Sequence, residues 1–134
     1  KLFYENGVIK EMYNFKKDKM NGICEDYHLS GSLKSKMKFV DDIPTGEYLS
    51  FHDNGNIHEK GFYKNGQTNG PWIIYHENGN KYIEGEYRND KVVGKLTFYD
   101  IYQNVVEVFE CDVDDCDSKI NTSIWLNEKP IFKD

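Results

Sequence analysis

Short runs in which apolar and polar residues alternate recur along most of the chain, broken by glycine and asparagine. Alternation with period two is the mark of a half-buried β-strand. It predicts strands near 47–52, 57–63, 71–76, 80–87 and 95–99. Asn54-Gly55 and Asn78-Gly79 fall between such runs and supply the positive φ of a hairpin turn. A two-residue turn would pair Phe51 with His58, whereas a three-residue loop with a glycine bulge pairs Phe51 with Ile57 and Tyr27 with Leu33. The bulged form is preferred because it sets aromatic against aliphatic side chains. The other connection, Lys64-Asn65-Gly66 through Gly70, reads as longer and more mobile.

The punctuation is periodic. Gly7, Gly31, Gly55 and Gly79 stand 24 residues apart, as do Gly22, Gly46, Gly70 and Gly94, and Gly61 and Gly85 form a third pair. Phe3, Tyr27, Phe51, Tyr75 and Tyr99 keep the same period, as do Phe15, Phe39, Tyr63 and Tyr87. Four units follow, near 3–26, 27–50, 51–74 and 75–98, each reading as a β-hairpin, and residues 100–134 remain as a C-terminal cap. Tyr99 in register, with Gln103 where glycine is expected, makes 99–110 a candidate degenerate fifth repeat.

Pairing through the bulge predicts a core face of Phe3, Ile9, Phe15, Tyr27, Leu33, Phe39, Phe51, Ile57, Tyr63, Ile73, Tyr75, Ile83, Tyr87 and Tyr99. The second face then carries Tyr48, Phe62, Trp72, Ile74 and Tyr82 among His52, His76, Glu84 and Glu86. An aromatic patch rimmed by polar groups marks a protein-binding surface, so those five are the candidate partner-binding residues. The competing expectation is that the tail covers this face, through Val105–Phe109, Ile120–Leu126 with Trp125, and Pro130-Ile131-Phe132.

Composition agrees with an all-β chain. There are 10 Tyr, 8 Phe, 2 Trp and 11 Gly in 134 residues, and no alanine, the strongest helix former. The net charge of −6 is unevenly placed. Residues 1–99 balance 14 basic against 14 acidic side chains, while 100–134 hold 3 against 9. Arg88 is the sole arginine and no basic patch stands out, which disfavours nucleic acid. No apolar run is long enough for a membrane helix or a signal-peptide core. The sequence names no compartment.

Units such as Trp72-Ile-Ile-Tyr-His-Glu-Asn-Gly-Asn-Lys-Tyr-Ile-Glu-Gly-Glu-Tyr-Arg-Asn89 resemble MORN repeats of the bacterial variant, over about residues 3–99. The resemblance implies an elongated, twisted antiparallel meander sheet that gains one hairpin per unit. It also implies a non-catalytic protein–protein interaction scaffold, in bacteria often an antitoxin or immunity component of a toxin system. Related repeats elsewhere imply the alternative, a membrane-surface or structural module. The chain departs from the pattern at Ser30-Gly31, at Asp41-Asp42-Ile43-Pro44, at Cys24 in place of an aromatic, and at Asn89-Asp90. No catalytic motif is involved, because the family supplies none.

Candidate chemistry is sparse. His28, His52 and His76 share one repeat position, but equivalent positions lie roughly 9–10 Å apart across two strands, too far to share a zinc ion. Polar residues before a turn is the simpler reading. Cys111 and Cys116 bracket Asp112-Val-Asp-Asp115, which could form a disulfide loop, a cation site or a solvated acidic turn. Counting from Asp112, the EF-hand glycine and glutamate positions hold Asp117 and Ser123, against a calcium loop. Cys24 reads as a small core residue. Glycine loops for phosphate, serine elbows and paired catalytic side chains are missing, so neither enzyme activity nor a cofactor is expected. The expected partner is a protein, with a basic toxin suited to the acidic tail; anionic membrane is disfavoured. The first strand is expected to leave an edge that can pair with a second molecule into a dimer.

Overall fold

The computed structural model describes residues 1–112 and Cys116, and over residues 1–112 every element is a β-strand. In chain order these are β1 Leu2–Phe3, β2 Ile9–Met12, β3 Phe15–Lys16, β4 Lys19–Met20, β5 Gly22–Tyr27, β6 Leu33–Val40 and β7 Ile43–Phe51. There follow β8 Ile57–Lys64, β9 Gln67–Thr68, β10 Gly70–Tyr75, β11 Lys81–Arg88, β12 Lys91–Tyr99 and β13 Val105–Glu110. Eleven strands make one antiparallel meander, ordered β1-β2-β5-β6-β7-β8-β10-β11-β12-β13, with β9 paired to β8. Strands β3 and β4 form a separate small hairpin. The expected all-β sheet of hairpin units is the observed fold.

The first turn of each unit has the bulged geometry. Phe51 pairs with Ile57 and Tyr27 with Leu33. At the tip, the His52 amide donates to Asn56 O and the Gly55 amide to His52 O, with Gly55 at φ 90°. A left-handed residue is needed there, and glycine adopts it without steric cost. The same turn recurs at 100–104, where Gln103 takes φ 70° in place of glycine. Residues 99–110 therefore fold as the opening hairpin of another unit.

The second turn differs from the expectation. It is a two-residue turn with both central residues at positive φ, seen at Lys17-Asp18, Asp41-Asp42, Asn65-Gly66 and Asn89-Asp90. This geometry matches the right-handed twist of the flanking strands, so the connection is tight. Gly70, which suggested a longer loop, begins β10 at φ 89° beside a break between two short strands.

The core mixes the two predicted faces. Ile83, Tyr63 and Tyr87 from the expected core face share it with Trp72, Ile74, Tyr48 and Tyr82 from the expected outer face, because Ile74 pairs with Ile83 and Trp72 with Gly85. Trp72, Ile74, Ile83, Val92, Leu96, Phe98 and Cys116 are buried together, with Tyr48, Tyr63, Tyr82, Tyr87 and Phe109 packed around them. Of the residues expected inside, Ile83 alone is fully buried, and Phe3 and Phe15 are 58% and 64% exposed. The two remaining glycines explain the choice of face. Neither Gly61 nor Gly85 has positive φ; instead a Cβ on Gly61 would lie 2.1 Å from the Trp72 ring, and one on Gly85 2.9 Å from Leu96. The missing side chains let large residues on neighbouring strands lie flat against the backbone.

Candidate functional site

The core face is graded along the sheet. Glu11, Asp26, Ser35, Ser50, Glu59, Ile74, Ile83, Phe98 and Glu107 form one row across adjacent strands. From Asp26 to Glu59 its polar side chains are bonded within the protein. Asp26 accepts from Tyr13 Oη at 2.9 Å and from Ser35 Oγ at 2.9 Å. Burial, and next the bond to Asp26, push the Tyr13 phenol up to about 12. Ser50 is buried with its hydroxyl 3.5 Å from His58 Nδ1, and the Trp72 indole donates to Glu59.

Four of the five proposed partner-binding residues meet here. Tyr48 stacks on Trp72 with ring centroids 6.0 Å apart, Tyr63 and Tyr87 approach the indole edge-on at 5.7 and 5.3 Å, and Tyr82 meets Phe98 at 6.2 Å. Burial raises the phenols of Tyr48 and Tyr63. Trp72 and Ile74 are buried core residues, however, so this cluster holds the fold together rather than presenting anchors to solvent. Phe62 alone stands apart, exposed on the other face opposite Glu47. Pairing by aromatic type alone puts neighbouring strand residues on the wrong faces; the glycines beneath Trp72 and Leu96 mark the buried one.

The histidines have a role that the sequence reading missed. His28 Nε2 lies 2.9 Å from Phe51 O, His52 Nε2 3.0 Å from Tyr75 O, and His76 Nε2 3.0 Å from Tyr99 O. A carbonyl only accepts, so each ring donates from Nε2 to the next unit. Tyr4 occupies the equivalent position and donates to Tyr27 O at 2.6 Å. Asn54 and Asn56 both donate to Glu77 O, and Asn78 and Asn80 both to Ile101 O. The shared 24-residue position of Tyr4 with three imidazoles was the available signal: both side chains can donate to a backbone oxygen. Asp100, next in the series, instead accepts from the amides of Tyr102 and Asn104 and closes its own turn.

On the open face Glu84 accepts from Lys81 and Tyr99, at 2.8 and 2.9 Å. The Lys81 bond lowers the Glu84 carboxyl, and the Glu84 bond raises Tyr99. Cys111 and Cys116 are joined as a disulfide with Cα atoms 5.5 Å apart, which carries Cys116 into the core; Cys24 is buried and unbridged. Among the described residues no group of three or more His, Cys, Asp or Glu is placed to hold a metal, and no helix is long and apolar enough to cross a membrane. The expected strand at Ile120–Leu126 and the packing of Pro130-Ile131-Phe132 lie outside the described residues.

A chain of hairpins tied unit to unit by side-chain rungs is a repeat-array protein. Residues 1–17, 20–41, 44–65 and 68–89 match the MORN repeat variant, and the chain belongs to that family. The matched segments begin and end at the two-residue turns rather than at the aromatics Phe3, Tyr27, Phe51 and Tyr75. No curated protein matches the chain. MORN repeats are associated with protein- and membrane-binding modules.

Proposed function

We propose that this chain is a non-catalytic module that binds a protein partner. The carrying observation is the use made of its reactive side-chain types. The imidazoles of His28, His52 and His76 are committed to carbonyls of the next unit, and Asp26 is held by two hydroxyl donors. A scaffold that ties three of its four imidazoles and this inner carboxylate to its own backbone and hydroxyls retains surfaces, not a reaction centre, as its means of action.

In its finer form the proposal is an antitoxin or immunity component of a bacterial toxin system. Support comes from charge: Asp100, Glu107, Glu110 and Asp112 lie on β13 and its flanks, and residues 100–112 contain no lysine or arginine. Such an end suits a basic partner. Affinity capture from the native host, followed by titration of the purified partner, tests the proposal. Recovery of a protein that binds directly is expected. No direct protein partner, together with sedimentation on anionic liposomes, would replace it with the membrane-surface reading.

A further inference from the structure

The open face carries an apolar patch that the repeat does not require. Ile23, Val40, Ile43 and Phe62 are 40%, 49%, 49% and 38% exposed. Ile23 pairs with Lys38, Val40 with Ile43, and Phe62 with Glu47, which places them on one face of β5, β6, β7 and β8. The patch is continuous toward the second turns. Ile43 lies over Gly66, its Cγ2 3.3 Å from where a Cβ there would stand, and Phe62 lies beside Gly70 at 3.8 Å. Four strands at about 4.8 Å make it roughly 14 Å wide.

The internal repeat shows what the fold itself needs at these places. Shifting by 24 residues, Phe62 corresponds to Asn14, Lys38 and Glu86, and Val40 to Lys16, Lys64 and Arg88. Ile43 corresponds to Lys19, Gln67 and Lys91, and Ile23 to Glu47, Pro71 and Lys95. Three of the four positions are polar in every other unit, and the fourth is apolar elsewhere only at Pro71. The scaffold accepts charge at each of these sites, so packing does not account for the hydrophobic residues that converge here from three units. An exposed apolar cluster without a structural need is the signature of a contact surface.

Charge selects the partner. Lys36, Lys38 and Lys64 are exposed on the same face and make no ion pair among the described residues, whereas the nearby acids are engaged elsewhere: Glu25, across from Lys36, by the Tyr27 phenol, Glu47 by Lys60 at 4.0 Å, Asp42 by the Met20 amide and Asp41 by Asn21. We propose that this patch docks an acidic segment of a protein partner, whose apolar side chains cover Ile23, Val40, Ile43 and Phe62 while its carboxylates meet Lys36, Lys38 and Lys64. The proposal rests on the protein-binding reading but not on its toxin form. A single exposed aromatic and only three unpaired lysines suit a peptide better than a lipid surface.

The repeat also supplies variants that should fold. Ile43→Gln and Phe62→Asn install residues that other units carry, without adding charge, and Lys38→Asn does the same for one lysine; retained cooperative melting checks each. A random peptide library is selected on the intact chain. Binders rich in Asp and Glu with interspersed apolar residues are expected. They should weaken about tenfold or more on the Ile43→Gln/Phe62→Asn chain, and lose part of their salt dependence on Lys38→Asn. Binders without acidic residues, binders held equally by the folded variants, or no binders would overturn the proposal. So would binding to phosphatidylcholine/phosphatidylserine vesicles that the same variants abolish. A native protein captured equally by parent and variants would keep the binding function and remove this face from it; capture of none by either would remove the function itself.

Discussion

The Nε2 of His52 lies 3.0 Å from the carbonyl oxygen of Tyr75, and the His52 ring is tilted against His58 at 4.5 Å. One side chain thus ties the turn of its own unit to the next. Replacing His52 with Ala removes the donor and its packing, and should cost about 1–2 kcal/mol, seen as a lower urea midpoint. His52→Tyr should recover much of that, because Tyr4 makes the same rung in the first unit. Equal loss in both variants would count against the hydrogen bond as the cause.

A second prediction separates two kinds of glycine. Gly61→Ala drives a methyl into the buried Trp72 ring, where the nearest atom would be at 2.1 Å, and should cost about 2–3 kcal/mol or prevent folding. Gly55→Ala meets no atom within 4 Å, and its penalty is the backbone strain of φ 90° alone, about 1 kcal/mol. Comparing the two denaturation midpoints checks the order. If Gly55→Ala proved the worse, the close approach of Trp72 to the backbone would be wrong.

These glycines also mark how far the sequence could be read. The hairpins were legible because Asn54-Gly55 and its copies combine a positive-φ residue with alternating strands, and the pairing of Phe51 with Ile57 followed from side-chain type. The buried face was not legible from alternation, which assigns two faces without saying which is inside. Gly61 and Gly85 carried that information, since a strand glycine that terminates nothing leaves room for a neighbour such as Trp72. Gly70 points in the other direction: in the sequence it reads as part of a loop, although Asn65-Gly66 already completes the turn. The rungs from His28, His52 and His76 were half legible, because the period put them in line but only the register shows a carbonyl one unit away. The patch at Ile23, Val40, Ile43 and Phe62 draws its members from different units, so no single repeat displays it.

Tyr13 gives a pH prediction with a defined sign. Its phenol is pushed up to about 12 in the folded chain, first by burial and then by the bond to Asp26. Below its ordinary value of 10.0 the phenol is protonated whether folded or unfolded, and its contribution is fully present. Between 10 and 12 the unfolded chain ionises first, so stability falls as pH rises through that window. Tyr13→Phe should flatten part of this alkaline limb in urea midpoints measured across it. The tyrosinate absorbance of the folded protein should lose a late-titrating component at the same time. An unchanged limb would show that Tyr13 is solvated.

Reduction tests the attachment of the C-terminal segment. Cys111 and Cys116 close a loop of sequence separation 5, for which chain entropy gives about 2 kcal/mol of stabilisation. Because Cys116 is buried against the Trp72, Leu96 and Phe98 cluster, dithiothreitol should lower the melting temperature and raise dye binding at the exposed apolar face. Cys24 is unbridged, so Cys24→Ser should leave the redox response intact. A melting temperature indifferent to reductant would mean that the bridge does not fasten Cys116 to the core.

The second turns carry their own rung, and one of them is silent. Asp42 accepts from the Met20 amide and Asp90 from the Thr68 amide, each at 2.7 Å. The intervening copy has Pro44 and Gly66, and keeps only the Gly66 amide to Pro44 O at 3.2 Å. Proline has no N–H to give and glycine no carboxylate to receive it, so both halves of the rung are missing together. Gly66→Asp alone should gain nothing, since its carboxylate would face proline and its Cβ would crowd Ile43 at 3.3 Å. Pro44→Thr alone should lose stability by freeing the unfolded chain. Together they restore the arrangement of Thr68 with Asp90, in which aspartate already tolerates φ 69°. The double-mutant cycle should therefore show favourable coupling of about 1 kcal/mol in urea denaturation. Additive effects would mean that the carboxylate rungs at Asp42 and Asp90 do not stabilise the array.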